Sequence, residues 1–495
     1  MNPDTLEIAV PPLAAKDAAL APPAAPPAAA PLAARPAPVP PSPAAPVRGP
    51  ARSALERLLA PLHAVRADPQ RRAAVRDSWR ALWTSRLLVW ATGVGTVLAF
   101  GFGPARKAFN PPGVTRGFGW LGDLLAAPVA RWDSAWYLVI AHYGYRPDLG
   151  RVTAARTAFF PLYPLGVRGI SWLGSPPVLA GVLISLAALA LALYGIHRLA
   201  AIELGSLEVG RLAVLLTAFA PMAFFLSGVY SESLYLALSV GLFWSAREGR
   251  WALAGVLGAL AAATRSTGLV LLLPALAIYL YGPRRDRAPD RGPGGRRSGL
   301  GRLVPRHRLR PDVLWLGLIP AAVALFALWL GLSGGEALAP FRSQQIWERH
   351  FAGPYVAVWD GVRAAFEGAR QLLSSGSAHV YFPAAPGSPT VAASHNLMLL
   401  AFLLAAVPAV ILVMRRLPFA YGLYVLAALA LPLSYPVAGQ PLMSLPRFLL
   451  VLFPLPLAVA AWLAEHPRAK APLIGASAVL MVVFGAQFAT WHWVA

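Results

Sequence analysis

Long apolar runs separated by short polar intervals dominate the chain from residue 81 onward. A run of roughly 20 apolar residues is long enough to cross the hydrocarbon core of a bilayer. The pattern therefore predicts an all-α polytopic membrane protein with about 11 transmembrane helices. The predicted spans cover residues 81–103, 177–197, 209–228, 231–246, 251–264, 266–282, 312–333, 395–414, 417–435, 447–464 and 471–493.

The charge of the loops orients these spans. Residues 283–310 contain ten Arg and two Asp, whereas 334–395 contains four Arg and four acidic residues. Because Arg-rich loops stay on the cytoplasmic side, we expect a cytoplasmic basic loop at 283–311 and an outer loop at 334–395. Alternation then places the N-terminus in the cytoplasm and a first outer loop at 104–176. This topology requires that 158–173 be a surface or re-entrant element.

The first 80 residues differ from the rest of the chain. Residues 1–50 are mostly Ala and Pro and hold 15 of the 49 prolines, which predicts a disordered leader. The leader lacks the basic start, apolar run and small-residue cleavage site of a cleaved signal peptide. Residues 51–80 are rich in Arg and are predicted to form a basic juxtamembrane segment on the anionic cytoplasmic face. The transmembrane domain is expected to occupy 81–495.

Composition narrows the possible functions. Hydrophobic residues make up 57% of the chain and charged residues 13%, as in a multi-pass membrane protein. The net charge of +22 would suit nucleic acid, but membrane topology already explains where the Arg residues cluster, so no nucleic-acid partner is expected. The absence of Cys excludes disulfides, thiolate catalysis and Cys-ligated metals. No dense Asp, Glu and His cluster has metal-ligand spacing, so neither a metal nor another cofactor is expected.

The first candidate for chemistry is the stretch 131–137, Arg-Trp-Asp-Ser-Ala-Trp-Tyr. If it is helical, Trp132, Trp136 and Ile140 share one face. Since Trp and Tyr favour the headgroup layer, the pattern predicts a helix at the membrane surface that holds Asp133 at the water side. An aromatic belt with one solvated Asp explains this stretch equally well.

Three further ionisable residues occur next to apolar runs. Glu232 opens a predicted span, Arg265 interrupts a long apolar run, and Arg447 lies at the outer mouth of the tenth span. Ionisable groups at membrane depth are functional candidates by default. Helix capping by Glu232, a structural Glu232–Arg265 pair and snorkelling of Arg447 remain open alternatives. With Asp133, these residues predict an outer-face site in which arginines could bind a phosphate.

Several short motifs, taken together, resemble one family. The blocks are 131–137 with 140–145, Phe-Phe-Pro-Leu-Tyr-Pro at 159–164, Tyr-Ser-Glu-Ser at 230–233, Thr-Arg at 264–265 and Ser-Leu-Pro-Arg at 444–447. They are similar to motifs of the PIG-V family, the second mannosyltransferases of GPI anchor synthesis, and of its prokaryotic relatives within the GT-C superfamily. The resemblance implies a GT-C-type helical bundle whose outer-face first loop carries surface helices and an acidic catalytic residue.

The resemblance also implies a reaction and a location. The protein would be a multi-pass plasma-membrane glycosyltransferase that moves a sugar, mannose by analogy, from a dolichyl-type polyprenyl phosphate to an acceptor hydroxyl. Transfer would occur with inversion on the outer face, with Asp133 as the base and a lipid, glycan or protein as the acceptor. The implied substrate-binding residues are Arg131, Trp132, Trp136, Tyr137, His142, Tyr163, Glu232, Arg265, Arg342 and Arg447.

Two other classes of protein stay open. In a transporter or lipid flippase, the buried charges would mark a substrate path near the membrane midplane. In a non-catalytic scaffold, Asp133 would have no role. The outer segment 334–395 is long enough for a folded acceptor-binding cap, or for a solvated loop with a surface helix at 355–373.

Overall fold

The computed structural model describes residues 68–102, 120–145, 155–290, 304–374 and 389–494. The predicted leader and the middle of the basic loop lie outside the described residues. All of the described residues belong to one unit, Leu62–Ala495. Regular secondary structure in them is helical, as the apolar pattern predicts.

The helices follow the apolar runs in order, and several are shorter than the run that encodes them. The α-helices are α1 (Pro69–Phe100), α2 (Trp120–Ala126), α3 (Ser134–Tyr143), α4 (Leu162–Ser171), α5 (Pro177–Leu204), α6 (Leu207–Ala218), α7 (Glu232–Arg247), α8 (Trp251–Ala262), α9 (Leu272–Tyr281), α10 (Leu318–Leu332), α11 (Ala339–Arg342), α12 (Pro354–Leu373), α13 (Pro389–Arg416), α14 (Phe419–Leu433), α15 (Leu445–Leu450), α16 (Pro454–Glu465) and α17 (Pro467–Ala489). Short 3₁₀ helices occupy Ala127–Val129, Ala155–Ala158, Ala223–Leu226, Ser266–Leu271, Pro311–Gly317 and Ser343–Trp347.

Four helices of the described part are long and apolar enough to cross a membrane. They are Pro177–Leu204, Pro311–Leu332, Thr390–Arg416 and Pro467–Ala489. Other apolar helices are short, and 12 residues such as those of α8 extend only ~18 Å against a hydrocarbon core of ~30 Å. An all-helical membrane protein is thus confirmed, whereas the number of about 11 spans stays a prediction.

Two predicted spans are not continuous α-helices. The predicted span 209–228 ends as an α-helix at Ala218, and 447–464 divides into α15 and α16. Proline explains both breaks, since Pro221 and Pro454 each lack the amide hydrogen that would continue a helix. Helix α1 begins at Pro69, within the predicted juxtamembrane segment, and continues to Phe100, so the membrane boundary at residue 80 stays a prediction.

The break after α6 is stabilised by Arg86 of α1. The Arg86 guanidinium is fully buried and donates to the carbonyl oxygens of Ala218 at 2.8 Å and Ala223 at 2.6 Å. A third bond reaches Ser227 Oγ at 2.9 Å. Arg86 therefore satisfies carbonyl groups that the end of the helix leaves without intrahelical partners.

Charged side chains gather at two ends of the bundle. At one end, Arg247 pairs with Glu203 and Arg416 pairs with Glu465. We call this the Glu203 end. The other end, which we call the Asp133 end, holds the residues that sequence analysis selected.

Candidate functional site

Asp133 occupies the position just before α3, which begins at Ser134. The preceding Trp132 has φ of +55°, a left-handed conformation that strains a bulky residue. Trp132 therefore lies outside the helix and packs against the rings of Trp491 and Trp493, with centroid distances of 5.7 and 5.3 Å. The prediction that Trp132 and Trp136 share a helix face is wrong.

The prediction of a surface helix at this position is also wrong. Helix α3 is buried along most of its length and packs against α4 and α5. The Tyr137 ring meets the rings of Phe159, Tyr163 and Tyr230 edge to face, with centroid distances of 5.2, 5.1 and 6.2 Å. The aromatic residues thus form a core behind Asp133, because neighbouring helices cover the face that would otherwise meet headgroups.

Four charged residues from distant parts of the chain meet at this end. Arg447 Nη1 lies 2.6 Å from Asp133 Oδ2. Glu232 Oε1 accepts hydrogen bonds from Arg447 Nε at 3.1 Å and Nη2 at 2.8 Å. Arg265 Nη1 lies 2.8 Å from the same Glu232 oxygen. We call Asp133, Arg447, Glu232 and Arg265 the carboxylate–arginine network.

The network is buried in its middle and open at its two ends. The side chains of Glu232 and Arg447 are 0% and 7% exposed, whereas those of Asp133 and Arg265 are 22% and 15% exposed. Arg447 also lies over the ring of Tyr230, 5.0 Å from its centroid. Buried charges are tolerated when they are paired, and here each middle residue has two charged neighbours. The two end residues are the ones that a ligand can reach.

Hydrogen bonding within the network is incomplete. Glu232 Oε2 is buried and has no hydrogen-bond partner in the described part of the chain. Arg265 Nη1 forms an ion pair with the other oxygen, Glu232 Oε1, at 2.8 Å. Because an unmade bond to a buried charged group is costly, Glu232 Oε2 has unused capacity to accept a hydrogen bond from a ligand hydroxyl.

Backbone strain concentrates around the network. The non-glycine residues with positive φ in the described ranges are Trp132, Glu348, Ser444 and Trp491. Trp132 precedes Asp133, Ser444 precedes the helix that carries Arg447, and Trp491 packs on Trp132. Strained residues of this kind cluster at functional sites, where surrounding packing maintains them.

Arg349, which the sequence patterns do not single out, lies beside the network. Its Nη1 donates to the carbonyl of Tyr435 at 3.3 Å. Burial, and after it the positive charge of Arg447, lowers the pKa of Arg349 to about 10, while Asp133 acts in the opposite direction. The residue selected from this loop was Arg342, which is exposed and pairs with Glu336. Nothing in local sequence distinguishes the two arginines, because the folding of the loop decides which one approaches Asp133.

Two of the predicted tyrosines belong to the core. Tyr163 is fully buried, and its hydroxyl donates to the carbonyl of Gly181 at 2.9 Å. The hydroxyl of Tyr137 lies 2.8 Å from Ser231 Oγ, next to Glu232 in sequence. Both tyrosines therefore support the network from behind rather than facing an open surface.

Arg131 and His142 lie on either side of the central stretch. Arg131 is buried, donates through Nε to the carbonyl of Ala489 at 3.1 Å, and lies 4.7 Å from the ring centroid of Trp491. His142 is exposed and contacts the ring of Tyr143. Arg131 thus fixes the turn that carries Asp133, whereas His142 has no contact with the network among the described residues.

Aromatic rings cover the outer side of α3. Trp136 stacks on Phe159 with centroids 5.7 Å apart, and Trp347 of the segment 334–395 packs edge to face on Trp136 at 6.2 Å. Trp347 is two residues before Arg349. This segment therefore brings an aromatic ring and a cation to the same face of the site.

Among the described residues, no group of three or more His, Asp or Glu side chains could hold a metal ion. The expectation of a metal-independent site stays a prediction.

Comparison with known proteins points to one family. Residues 107–277 match the family model for mannosyltransferase (PIG-V). This region contains Asp133, Glu232 and Arg265, whereas Arg349 and Arg447 lie beyond it. No solved structure matches the chain.

Curated relatives support the same family. GPI alpha-1,6-mannosyltransferase 2 of Mus musculus is 31% identical over 158 residues, which cover 30% of this chain and 31% of the relative. The proteins of that name from Rattus norvegicus and Homo sapiens are 32% and 28% identical over 177 residues, or 33% of this chain and 34% of each relative. The chain thus spans about a third of the length of the curated relatives it matches. The predicted resemblance to the PIG-V family is confirmed for residues 107–277.

Proposed function

We propose that the protein is a membrane mannosyltransferase that transfers mannose from a polyprenyl-phosphate donor to an acceptor hydroxyl, with Asp133 as the base. The observation that carries the proposal is the partly exposed Asp133 in contact with Arg447. Arg265 and Arg447 pair with the carboxylates of Glu232 and Asp133, and Arg349 lies near enough to interact electrostatically with Asp133 and Arg447. A site with one excess positive charge suits a substrate whose leaving group is an anionic phosphate.

The reaction can be written with these residues in defined roles. The acceptor oxygen forms a bond to the anomeric carbon of mannose while its proton passes to the Asp133 carboxylate. The bond from the anomeric carbon to the phosphate oxygen breaks, and the polyprenyl phosphate leaves with the electron pair. Arg265, Arg447 and Arg349 supply positive charge for the phosphate as it departs.

The geometry favours a single displacement with inversion. A retaining enzyme uses a second carboxylate as the nucleophile. Glu232 is fully buried, and one of its oxygens already meets both Arg447 and Arg265. Glu232 is therefore suited to holding the arginines and not to attacking a sugar.

The position of the basic loop supports an outer-face reaction. Arg247 of α7 donates to the carbonyl of Pro283, and Arg285 pairs with Glu248. The start of the Arg-rich loop thus lies at the Glu203 end, and Glu232 lies at the other end of α7. If Arg-rich loops remain cytoplasmic, the Asp133 end faces outward.

The test is sugar transfer by the full chain in proteoliposomes supplied with radiolabelled polyprenyl-phosphate-mannose and membrane lipid and protein acceptors. Asp133→Asn keeps the shape of the side chain but cannot take the proton, so transfer should fall by about 10²-fold or more. Glu336→Gln, which changes an exposed carboxylate outside the network, should transfer like wild type. The labelled product identifies the acceptor as lipid, glycan or protein.

Two outcomes would reject the proposal. The first is equal transfer by wild type and Asp133→Asn when thermal unfolding curves show that both proteins are folded, since Asp133 would then have no role in the reaction. The second is failure of the wild-type protein to transfer sugar from any polyprenyl-linked donor, which would favour the transporter hypothesis.

A further inference from the structure

The segment between α14 and α15, residues 434–444, helps to set where two arginines lie. We call it the α14–α15 connection. The carbonyl oxygen of Tyr435 accepts a hydrogen bond from Arg349 Nη1 at 3.3 Å, and Val437 forms an antiparallel bridge with Arg349. The connection then leads into α15, which carries Arg447. A change in its conformation would therefore move cations of the site.

Helix α13 anchors the middle of the connection through one buried side chain. Asn396 is 5% exposed, and its Nδ2 donates to the carbonyl oxygen of Gly439 at 3.1 Å. Gly439 has φ of +83°, a conformation that glycine adopts because it has no Cβ. The turn at Gly439 is therefore tied to α13 by a single, well-formed hydrogen bond.

The neighbouring polar contact is weaker. His395 Nδ1 lies 3.5 Å from Gln440 Nε2, a separation at the long limit of a hydrogen bond. His395 Nε2 and Gln440 Oε1 are buried without a hydrogen-bond partner in the described part of the chain. Asn396, and not His395, is therefore the polar anchor of the connection.

Apolar contacts enclose the connection from two sides. Leu442 packs with Leu399 of α13 and Leu445 of α15, and all three are at most 2% exposed. From the side of α12, a Cβ at Gly361 would lie 2.5 Å from Leu442 Cγ. Because close-packed interiors transmit displacements, a shift of α12 or α13 would be passed to the connection.

We propose that Asn396 is a positioning residue, which holds the α14–α15 connection in the arrangement that keeps Arg349 beside Asp133. A buried hydrogen bond of this kind adds little net stability, but it specifies one arrangement of a turn. Among the described residues, Asn396 makes no hydrogen bond or ion pair with the network, so its effect passes through the connection. The inference rests on the proposed function, because that function gives Arg349 its role at the departing phosphate.

Mannose transfer by the full chain in proteoliposomes tests this role with a double-mutant cycle. Asn396→Leu nearly keeps the side-chain volume but removes the donor, and it should lower transfer about fivefold because Arg349 is then less well placed. Combined with Arg349→Ala, the same substitution should change transfer less than about twofold, since the group that it positions is absent. A purely structural role predicts the same fold loss in both backgrounds, and that result would overturn the proposal.

Two controls use residues outside the connection. Combined with Arg342→Ala, Asn396→Leu should keep its full loss of transfer, because Arg342 is exposed and pairs with Glu336. Ser394→Ala removes an exposed hydroxyl of α13 that donates to the carbonyl of Val391 in the same helix, and it should transfer like wild type.

A second variant disturbs the connection without altering its anchor. Gly361→Ala places a Cβ against Leu442 and displaces it. Transfer should fall in this variant too, and the loss should likewise disappear in combination with Arg349→Ala. If Asn396→Leu does not fold, Gly361→Ala carries the test.

Hydrogen exchange measures the same coupling without any sugar transfer. In nanodiscs, the backbone amides of 434–444 and of 343–353, the segment that carries Arg349, should exchange about tenfold faster in Asn396→Leu than in wild type. The amides of α5 should exchange at the same rate in both proteins. Faster exchange in 434–444 alone would show that Arg349 does not depend on the anchor, and would overturn the proposal.

The outcomes separate this inference from the proposed function. Faster exchange in both segments, in a protein that transfers no mannose, would keep the positioning contact and reject the transferase. Transfer by wild type that is unchanged in Asn396→Leu and in Gly361→Ala would keep the transferase and reject the positioning role.

Discussion

Glu203 and Glu232 are both buried carboxylates paired with arginine, yet their hydrogen bonding differs. Both oxygens of Glu203 are used: Oε1 accepts from Tyr421 at 2.8 Å and from Arg247, and Oε2 accepts from Arg247 Nη2 at 3.1 Å. Arg247 also donates a hydrogen bond from Nη1 to the carbonyl oxygen of Pro283. At Glu232, one oxygen meets every charged partner and the other has none among the described residues.

The difference indicates different roles. The Glu203 cluster joins α5, α7, α14 and the start of the basic loop, and its bonds are complete, as expected of a structural clamp. The Glu232 cluster keeps unused bonding capacity and reaches exposed surface through Asp133 and Arg265. Burial and charge are common to both clusters, so it is incomplete bonding that distinguishes a candidate site from a clamp.

The largest expected effect compares Glu232→Gln with Glu203→Gln. Glu232→Gln should lower mannose transfer by about 100-fold, because both arginines lose the charge that holds them. It should also lower stability, because Arg265 loses its only carboxylate in the described residues, although Arg447 keeps Asp133 as a counter-ion. Glu203→Gln should lower the free energy of unfolding by ~3 kcal/mol, because Arg247 loses its only carboxylate in the described residues, and folded protein should keep its activity. Transfer assays and thermal unfolding in detergent measure the two effects. If both variants lose activity in proportion to their loss of stability, the two carboxylates do not differ in role.

A smaller effect tests whether Arg349 belongs to the site. Arg349→Ala removes one of the three cations and should lower transfer about tenfold, equivalent to ~1.4 kcal/mol of transition-state stabilisation. Arg342→Ala is the matched control from the same loop, and its transfer rate should stay within twofold of wild type because Arg342 is exposed and held by Glu336. Initial rates at saturating and limiting donor give kcat and KM for each variant. Equal losses in the two variants would show that general loop charge, not position, matters.

The smallest effect concerns pH at the Glu203 end. Hydrogen bonds from Arg284, at 2.7 and 2.5 Å, hold the pKa of the Asp286 carboxyl below its ordinary value of 3.8. A lowered folded-state pKa contributes stability above the unfolded value, and this contribution is lost as pH falls through the folded pKa. The difference in unfolding temperature between wild type and Asp286→Asn should therefore shrink as pH falls from 5 to ~3. A difference that grows on acidification would contradict the assignment, and transfer at neutral pH should be equal in both.

Long regular patterns were predicted well. The helix at 355–373, which belonged to one of the two alternatives for the segment 334–395, corresponds to α12, Pro354–Leu373. The last predicted span, 471–493, overlaps α17, Pro467–Ala489. The element at 158–173 contains the short α4 and no complete crossing. These elements follow from local periodicity and proline positions, which do not depend on the tertiary contacts of the segment.

The site was predicted in part. Asp133, Glu232, Arg265 and Arg447 were selected because ionisable groups beside apolar runs are unusual, and the structure brings all four together. The roles of Trp132 and Tyr163 could not be read in the same way, since aromatic residues suit a membrane interface, a sugar site and a core alike. The packing of Trp132 on Trp491 indicates a structural role for Trp132. The hydrogen bond from the Tyr163 hydroxyl to the carbonyl of Gly181 indicates the same for Tyr163.

The sequence by itself determined an all-helical membrane protein and the chemical groups available at one end of its helices. These follow from local patterns of apolar and charged residues. Tertiary structure alone decided that Asp133 meets Arg447, 314 residues away, and that Arg349 approaches them while Arg342 does not. It also decided that one oxygen of Glu232 has no hydrogen-bond partner among the described residues. The physical reason is that ion pairing and hydrogen bonding between helices depend on the distances between them, and the local pattern of one helix does not specify these distances.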